Sequence, residues 1–164
     1  MVVPPHQYLK PVGSLLKVPL DKSNIINNCS VTSSIIKTVE KSQPTLGPLD
    51  NIETSKMQQW IEYSIVYAAN IDCSQDSHTI LKELDDTLSI TTYLIASRPT
   101  IADVLLYHVL VNILASLGNS DKESYMNVCR WFDNIQQNKL FRQSNKLVNF
   151  TINYLSRIAN IKVD

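Results

Sequence analysis

The sequence predicts a mainly α-helical protein: a helical bundle over the larger C-terminal part, preceded by a short mixed α/β segment. Three observations carry this. Six of the seven prolines lie before residue 49, which leaves Pro99 alone in the remainder. Between residues 54 and 156 apolar side chains recur at three- and four-residue spacing, the signature of one buried helix face. Apolar residues make up 44% of 164, enough for a genuine core in a chain of single-domain size. The shift in texture divides the chain into residues 1–50, rich in Pro, Ser and Asn, and a helical domain over residues 51–164.

Within residues 1–50, Lys17 to Leu20 reads as extended, because Pro19 pushes the residue before it toward the β region. Asn24 to Asn28 reads as a second short strand around Ile25 and Ile26. Val31 to Lys41 places Ile35, Ile36 and Val39 at helical spacing, and Gln43 to Leu49 reads as a linker.

The domain that follows reads as five helices. The first starts at a capping box, Ser55-Lys56-Met57-Gln58, and aligns Met57, Trp60, Ile61, Ser64, Ala68 and Ile71. The second starts between Ser74 and Ser77 and buries Ile80, Leu81, Leu84 and Leu88. The third runs from Thr100 to Leu117, is apolar nearly all round, and has Gly118 as its expected stop. Such a helix belongs at the centre of a bundle. The fourth follows Ser120-Asp121-Lys122-Glu123, read as another capping box, and buries Tyr125, Val128, Phe132 and Ile135. The fifth spans Leu140 to Ile158, with Leu147, Phe150, Tyr154 and Ile158 on its apolar face.

Several function classes lose support at this level. Fifteen basic residues balance fifteen acidic ones, so the uniform positive field of a nucleic-acid binder is absent. The mild basic bias of Lys139, Arg142, Lys146 and Arg157 lacks interleaved aromatics and reads as a solvated face. No apolar run is long enough to cross a membrane, and residues 1–17 do not read as a signal peptide. Cys29, Cys73 and Cys129 are odd in number and far apart, which fits reduced thiols in the cytoplasm or nucleus. The triplets Asn28-Cys29-Ser30 and Asn149-Phe150-Thr151 then read as chance glycosylation matches. His6, His78 and His108 share no ligand spacing with one another or with the cysteines, so no metal is expected. His108, on the apolar third helix, reads as a hydrogen-bonded core residue. The neighbouring Arg130 would favour the thiolate of Cys129, yet an inert thiol is the expectation there.

The most informative motif is Thr100-Ile101-Ala102-Asp103. Thr100 occupies an N-cap position and Asp103 the N3 position, so each side chain serves the other's backbone donor. Followed by an almost wholly apolar helix, this box resembles the buried capping box of the glutathione-transferase C-terminal domain, with Pro99 and Val104 at the staple positions. Val18-Pro19 resembles the proline before the third strand of that superfamily's thioredoxin-like domain. The blocks at 58–63, 78–84, 102–107 and 125–136 resemble, in order, the elongation factor 1 epsilon family within the superfamily. That resemblance is good over residues 55–145 and loose over 17–40.

The resemblance implies a helical bundle of the glutathione-transferase C-terminal type preceded by a truncated thioredoxin-like α/β segment. It implies a non-catalytic scaffold subunit of the multi-tRNA-synthetase complex. The partners it implies are the glutathione-transferase-like domains of methionyl-tRNA synthetase and glutamyl-prolyl-tRNA synthetase. Neither cofactor nor catalytic residue is expected, and the location implied is cytoplasmic with a nuclear pool. Arg130 is its implied partner contact, with Ser74 and Asp76 extending the same surface; the bland readings are a solvated arginine and a helix cap. The alternative function is a transferase relative that binds ligand or retains activity. Against it, only 17 residues precede Val18-Pro19, too few for a strand–helix–strand lead-in, and Tyr8 and Ser14 are the only hydroxyls among them. The superfamily's Glu-Ser pair would fall near Val31-Thr32, where the acid is replaced by an apolar residue.

Overall fold

A computed structural model describes residues 5–17, 28–70 and 74–150. In order these form α1 (Pro5–Leu16), α2 (Asn28–Ser42), α3 (Asn51–Val66), α4 (Ser74–Leu88), α5 (Ile101–Ser116), α6 (Asn119–Ser124), α7 (Met126–Gln137) and α8 (Lys139–Arg142). Short 3-10 turns at Pro44–Leu46 and Ala68–Asn70 connect some of them. The protein is mainly helical, and the described residues include no strand.

Helix α5 is the axis. Every residue from Ile101 to Val111 is buried, and Leu114 with them. An all-round apolar helix is stable in water only when surrounded, and α1, α3 and α7 pack on it. Helix α2 lies on α3, and α4 lies on α7. The expected faces of the bundle are confirmed: Met57, Ile61, Ser64 and Ala68, then Leu81, Leu84 and Leu88, then Val128, Phe132 and Ile135 are all buried. Trp60, Ile80 and Tyr125 pack on that core half-buried.

The N-terminal segment differs from the expectation. Residues 5–16, not read as helix from the sequence, form α1, and its Leu9, Val12 and Leu16 join the same hydrophobic cluster as α5. Pro11 inside α1 lacks a backbone donor, and its carbonyl accepts a hydrogen bond from Gln143 Nε2. The helix expected at Val31–Lys41 is present as α2, with Ile35, Ile36 and Val39 buried. The two expected strands, and Val18-Pro19, lie almost wholly at residues 18–27, outside the described residues. A thioredoxin-like α/β arrangement is therefore no part of the fold described here.

Helix boundaries also moved, each for a local reason. Helix α3 begins at Asn51, a turn before the expected Ser55 box. Asp50 caps it by accepting from Glu53 N at 2.7 Å, and the Glu53 carboxylate accepts in turn from Leu49 N at 2.9 Å. Ser55 instead donates back to Asn51 O inside the helix. Gly118 has φ −66° and serves as the N-cap of α6; it is not a left-handed stop for α5.

The expected fourth helix is two helices, α6 and α7, broken at Tyr125. Asp85 of α4 takes the first free donors of α7, so a new helix starts at Met126. Of the expected Leu140–Ile158 helix, the described residues up to 150 form only the single turn α8. Gln143 ends it at φ 53° and ψ −123°, and residues 145–150 run without helix. The buried Gln136 carboxamide holds that arm in place. Its Oε1 accepts from Val148 N at 2.9 Å and its Nε2 donates to Val148 O at 2.8 Å, as a neighbouring strand would. Residues 151–158 of the expected helix fall outside the described residues.

Replacing Gln136 by leucine removes both partners of Val148 and leaves a buried backbone N–H and C=O unpaired. The Gln136→Leu protein is expected to lose about 2 kcal/mol in urea unfolding. Amide exchange at Val148 should rise to the rate of a free segment while α5 stays protected. Unchanged protection at Val148 would show that the arm's other contacts, the packing of Phe150 and the Asn145–His108 bond among them, suffice to hold it.

Candidate functional site

The capping box at the start of α5 is buried and larger than its sequence suggests. Thr100 and Asp103 are both fully buried. Asp103 Oδ2 accepts from Thr100 N at 2.9 Å and Thr100 Oγ1 at 2.7 Å. Asp103 Oδ1 accepts from Leu94 N at 3.0 Å and from Trp131 Nε1 at 2.9 Å. One carboxylate thus ties the α4–α5 loop, the first turn of α5 and helix α7 together. Burial pushes its pKa above the ordinary range, and the four donors pull it back. Pro99 and Val104 stand where the staple belongs, but Pro99 is half-buried and only Val104 is fully enclosed.

Helices α4 and α7 are joined by a reciprocal exchange of ends. Asp85, near the end of α4, accepts from Asn127 N at 2.8 Å and Val128 N at 3.0 Å, and from Asn127 Nδ2 at 2.9 Å. A negative charge therefore sits on the N-terminus of α7. Arg130 of α7 returns the exchange, with Nη2 donating to Leu88 O at 2.6 Å and to Thr91 O at 3.2 Å where α4 ends. Both charges match the helix dipoles they face. Arg130 is half-buried, and its Nε has no hydrogen-bond partner. It is neither a freely solvated arginine nor paired with Asp133 or Asp121. Ser74 and Asp76 lie in the first turn of α4, and their side chains are outside the described residues. His78, farther along α4, meets the Tyr125 hydroxyl through Nδ1 at 2.8 Å.

A second arginine, Arg98, escaped the sequence reading. It donates to Thr45 O at 3.1 Å and Gly47 O at 3.0 Å, and pairs with Glu53 at 2.7 Å. It thereby fastens the entry of α5 to the entry of α3. Asp85 was missed as well. In the run Glu83-Leu84-Asp85-Asp86 it looks like any solvated acid, and its partners lie over 40 residues away.

The other candidates are quieter. Cys129 is buried, and burial raises its thiol to about 11, with Lys122 pulling weakly the other way. That overturns the reactive reading in which Arg130 favours the thiolate. Ser14 is exposed on α1, and Thr32 is buried in α2. Among the described residues no group of His, Cys, Asp and Glu is placed to hold a metal, and no helix is long and apolar enough to cross a membrane. His108 is buried as expected and meets Asn145 Nδ2 through Nδ1 at 3.0 Å.

Residues 53–139 match the model of the Arc1p N-terminal-like family, described as nuclear-export cofactor Arc1p. The chain belongs to this family. The matched stretch opens at Glu53 and closes at Lys139, so it takes in Asp85, Arg98, the Asp103 box and Arg130. It leaves out α1, α2 and the 145–150 arm.

Among curated relatives, the chain is 39% identical over 103 residues to eukaryotic translation elongation factor 1 epsilon-1 of Cricetulus griseus and 38% identical to that of Homo sapiens. Each match covers 63% of this chain and 59% of the relative, so the chain spans less than two thirds of their length. It is also 26% identical over 140 residues to the tRNA-aminoacylation cofactor arc1 of Schizosaccharomyces pombe, covering 80% of this chain and 30% of that protein. The elongation factor 1 epsilon resemblance read from the four sequence blocks is thereby confirmed.

Two expectations follow from the buried polar groups. Asp103→Asn places an amide nitrogen where donors now find an oxygen, so at least one buried donor loses its acceptor. Urea unfolding should show a loss of about 3 kcal/mol; a loss below about 1 kcal/mol would mean that water or relaxation replaces the carboxylate.

His108 concerns pH. Burial holds it at about 4, against 6.5 in a model peptide, with the Phe141 carbonyl opposing weakly. The unfolded chain takes up this proton first as pH falls. Stability is therefore lost between pH 6.5 and 4 and levels off below, by on the order of 3 kcal/mol. His108→Gln should flatten that part of the stability–pH curve relative to the parent. Identical slopes would remove His108 from the account.

Proposed function

We propose that this chain is a non-catalytic adaptor of the aminoacyl-tRNA synthetase machinery. It binds the glutathione-transferase-like domains of methionyl- and glutamyl-prolyl-tRNA synthetases in a heteromeric complex, in the cytoplasm with a nuclear pool. The observation that carries this reading is the family match over residues 53–139, which spans the bundle from α3 to α7. The name of the fission-yeast relative, a tRNA-aminoacylation cofactor, supports the synthetase connection. The elongation factor name of the mammalian relatives supports a place in translation.

The proposed contact surface is the α4–α7 face. Its anchor is Arg130, with Ser74 and Asp76 on the first turn of α4 continuing it. The two bonds of Arg130 both come from Nη2. They fix the guanidinium plane, and a fixed planar cation is suited to stack on another arginine or to grip a carboxylate. Little side-chain entropy is then left to lose on binding.

The test is calorimetry of the full chain against the two synthetase domains from the same source, with Arg130→Ala and Asp85→Ala in parallel. Both substitutions break the α4–α7 exchange, but only the first removes the proposed contact. Sub-micromolar binding is expected, reduced at least about tenfold by Arg130→Ala alone, on the order of 1.4 kcal/mol. Equal losses in the two variants would make Arg130 purely structural. Absence of binding, together with retention on immobilised glutathione, would replace the adaptor by a transferase relative.

A further inference from the structure

A cleft of about 570 Å³ opens where the end of α5, helix α6 and the 145–150 arm meet. That volume falls in the range of small-molecule sites. Its polar lining includes Lys122, Lys146, Asn112, Asn119 and Asn145, and no aspartate or glutamate is among its described lining residues. Asp121 and Glu123, the sequence neighbours of Lys122, do not line it. Val111 and Ala115 supply an apolar wall.

Lys122 is the unusual member. Only 8% of the residue is exposed. Lysine is almost never that buried unless paired, and among the described residues the only ion pair is that of Arg98 with Glu53. Its ammonium lies 5.6 Å from the centroid of the Phe150 ring, and that cation–π contact offsets part of the desolvation. A ring face does not satisfy three N–H donors. A second ammonium, Lys146, stands in the same cleft on the exposed side. Asn145 turns its Nδ2 to His108, so its carbonyl oxygen is the group left to accept from a hydroxyl or amine.

We propose that this cleft is a binding site for a small organic phosphate of nucleotide size. Lys122 and Lys146 take the phosphate oxygens, and the carboxamides take the polar body of the molecule. Two lysines in one cleft, with no acid among its described lining residues, select a dianionic head group over a neutral one. The arm that forms one wall is held by Gln136, so the site exists before ligand arrives. This site uses no residue of the proposed adaptor surface and stands or falls apart from it.

The experiment is calorimetry on the full chain, with AMP and inorganic phosphate as probes and adenosine as the uncharged control. Lys122→Met keeps an unbranched side chain of similar length and removes the charge. Lys146→Gln, at an exposed position, serves where Lys122→Met alters folding. Saturable AMP binding is expected, with weaker binding of phosphate and none of adenosine. Each substitution should weaken AMP at least about tenfold, with the melting temperature of Lys122→Met staying near that of the parent, since the ammonium makes no ion pair among the described residues. No saturable binding of AMP or phosphate at millimolar concentration overturns the proposal. So does adenosine binding as well as AMP, AMP affinity unmoved by Lys146→Gln, or an RNA oligonucleotide bound in preference to AMP.

Discussion

The Asp103 carboxylate is the constraint around which the bundle is arranged. It is wholly out of water, and an ionised carboxylate in that position is tolerable only with its lone pairs filled. Four donors fill them, and they come from three different places in the chain. Apolar contact alone cannot supply the same information. Helix α5 is buried on every side from Ile101 to Val111, and apolar surfaces of that kind fit one another in several rotations and registers. The donors at Leu94, Thr100 and Trp131 meet one carboxylate in a single arrangement, so α7 and the loop before α5 are fixed against α5 by direction as well as by area.

The same logic recurs at the edges of the bundle. Asp85 and Arg130 exchange helix ends, Arg98 ties two helix entries, and Gln136 pairs with the backbone of Val148. In each case a side chain satisfies backbone groups that a helix end or an irregular segment would leave open. The protein spends polar side chains on the places where its helices begin and stop, while the helix middles are left to apolar packing. The α4–α7 face is therefore held at both helix ends, a useful property for the surface proposed to meet another domain.

This division also explains what was legible in the sequence. The helix interiors of the bundle were readable because three- and four-residue spacing is a local signal, and Thr100 with Asp103 was readable because a capping box closes within one turn. Trp131 as a third party to that box was not, since nothing in Arg130-Trp131-Phe132 names a partner 28 residues earlier. The break at Tyr125 was hidden for the same reason: it depends on Asp85, 40 residues away. The C-terminal helix was over-read across residues 145–150 because Leu147 and Phe150 have helical spacing, whereas Gln136 imposes an extended path on Val148. Helix α1 was hidden by its prolines, which predict a loop locally but are overruled by the burial of Leu9, Val12 and Leu16. Residue type and spacing marked Arg130, but only the coordinates assign its bonds to α4 carbonyls and not to an acid.

Among the described residues, the two ionisable side chains Asp103 and Lys122, both in the buried class, lead to opposite conclusions. Asp103 has no exposure and four hydrogen bonds, so its burial is explained by structure: remove the carboxylate and the donors are orphaned. Lys122 is largely enclosed as a residue, but its ammonium meets an aromatic face and an open cleft rather than an acid. A charge retained without a partner inside the fold fits a partner from outside it. The position beside a second lysine and a row of carboxamides says what chemistry that partner would bring: negative oxygens on a small polar molecule.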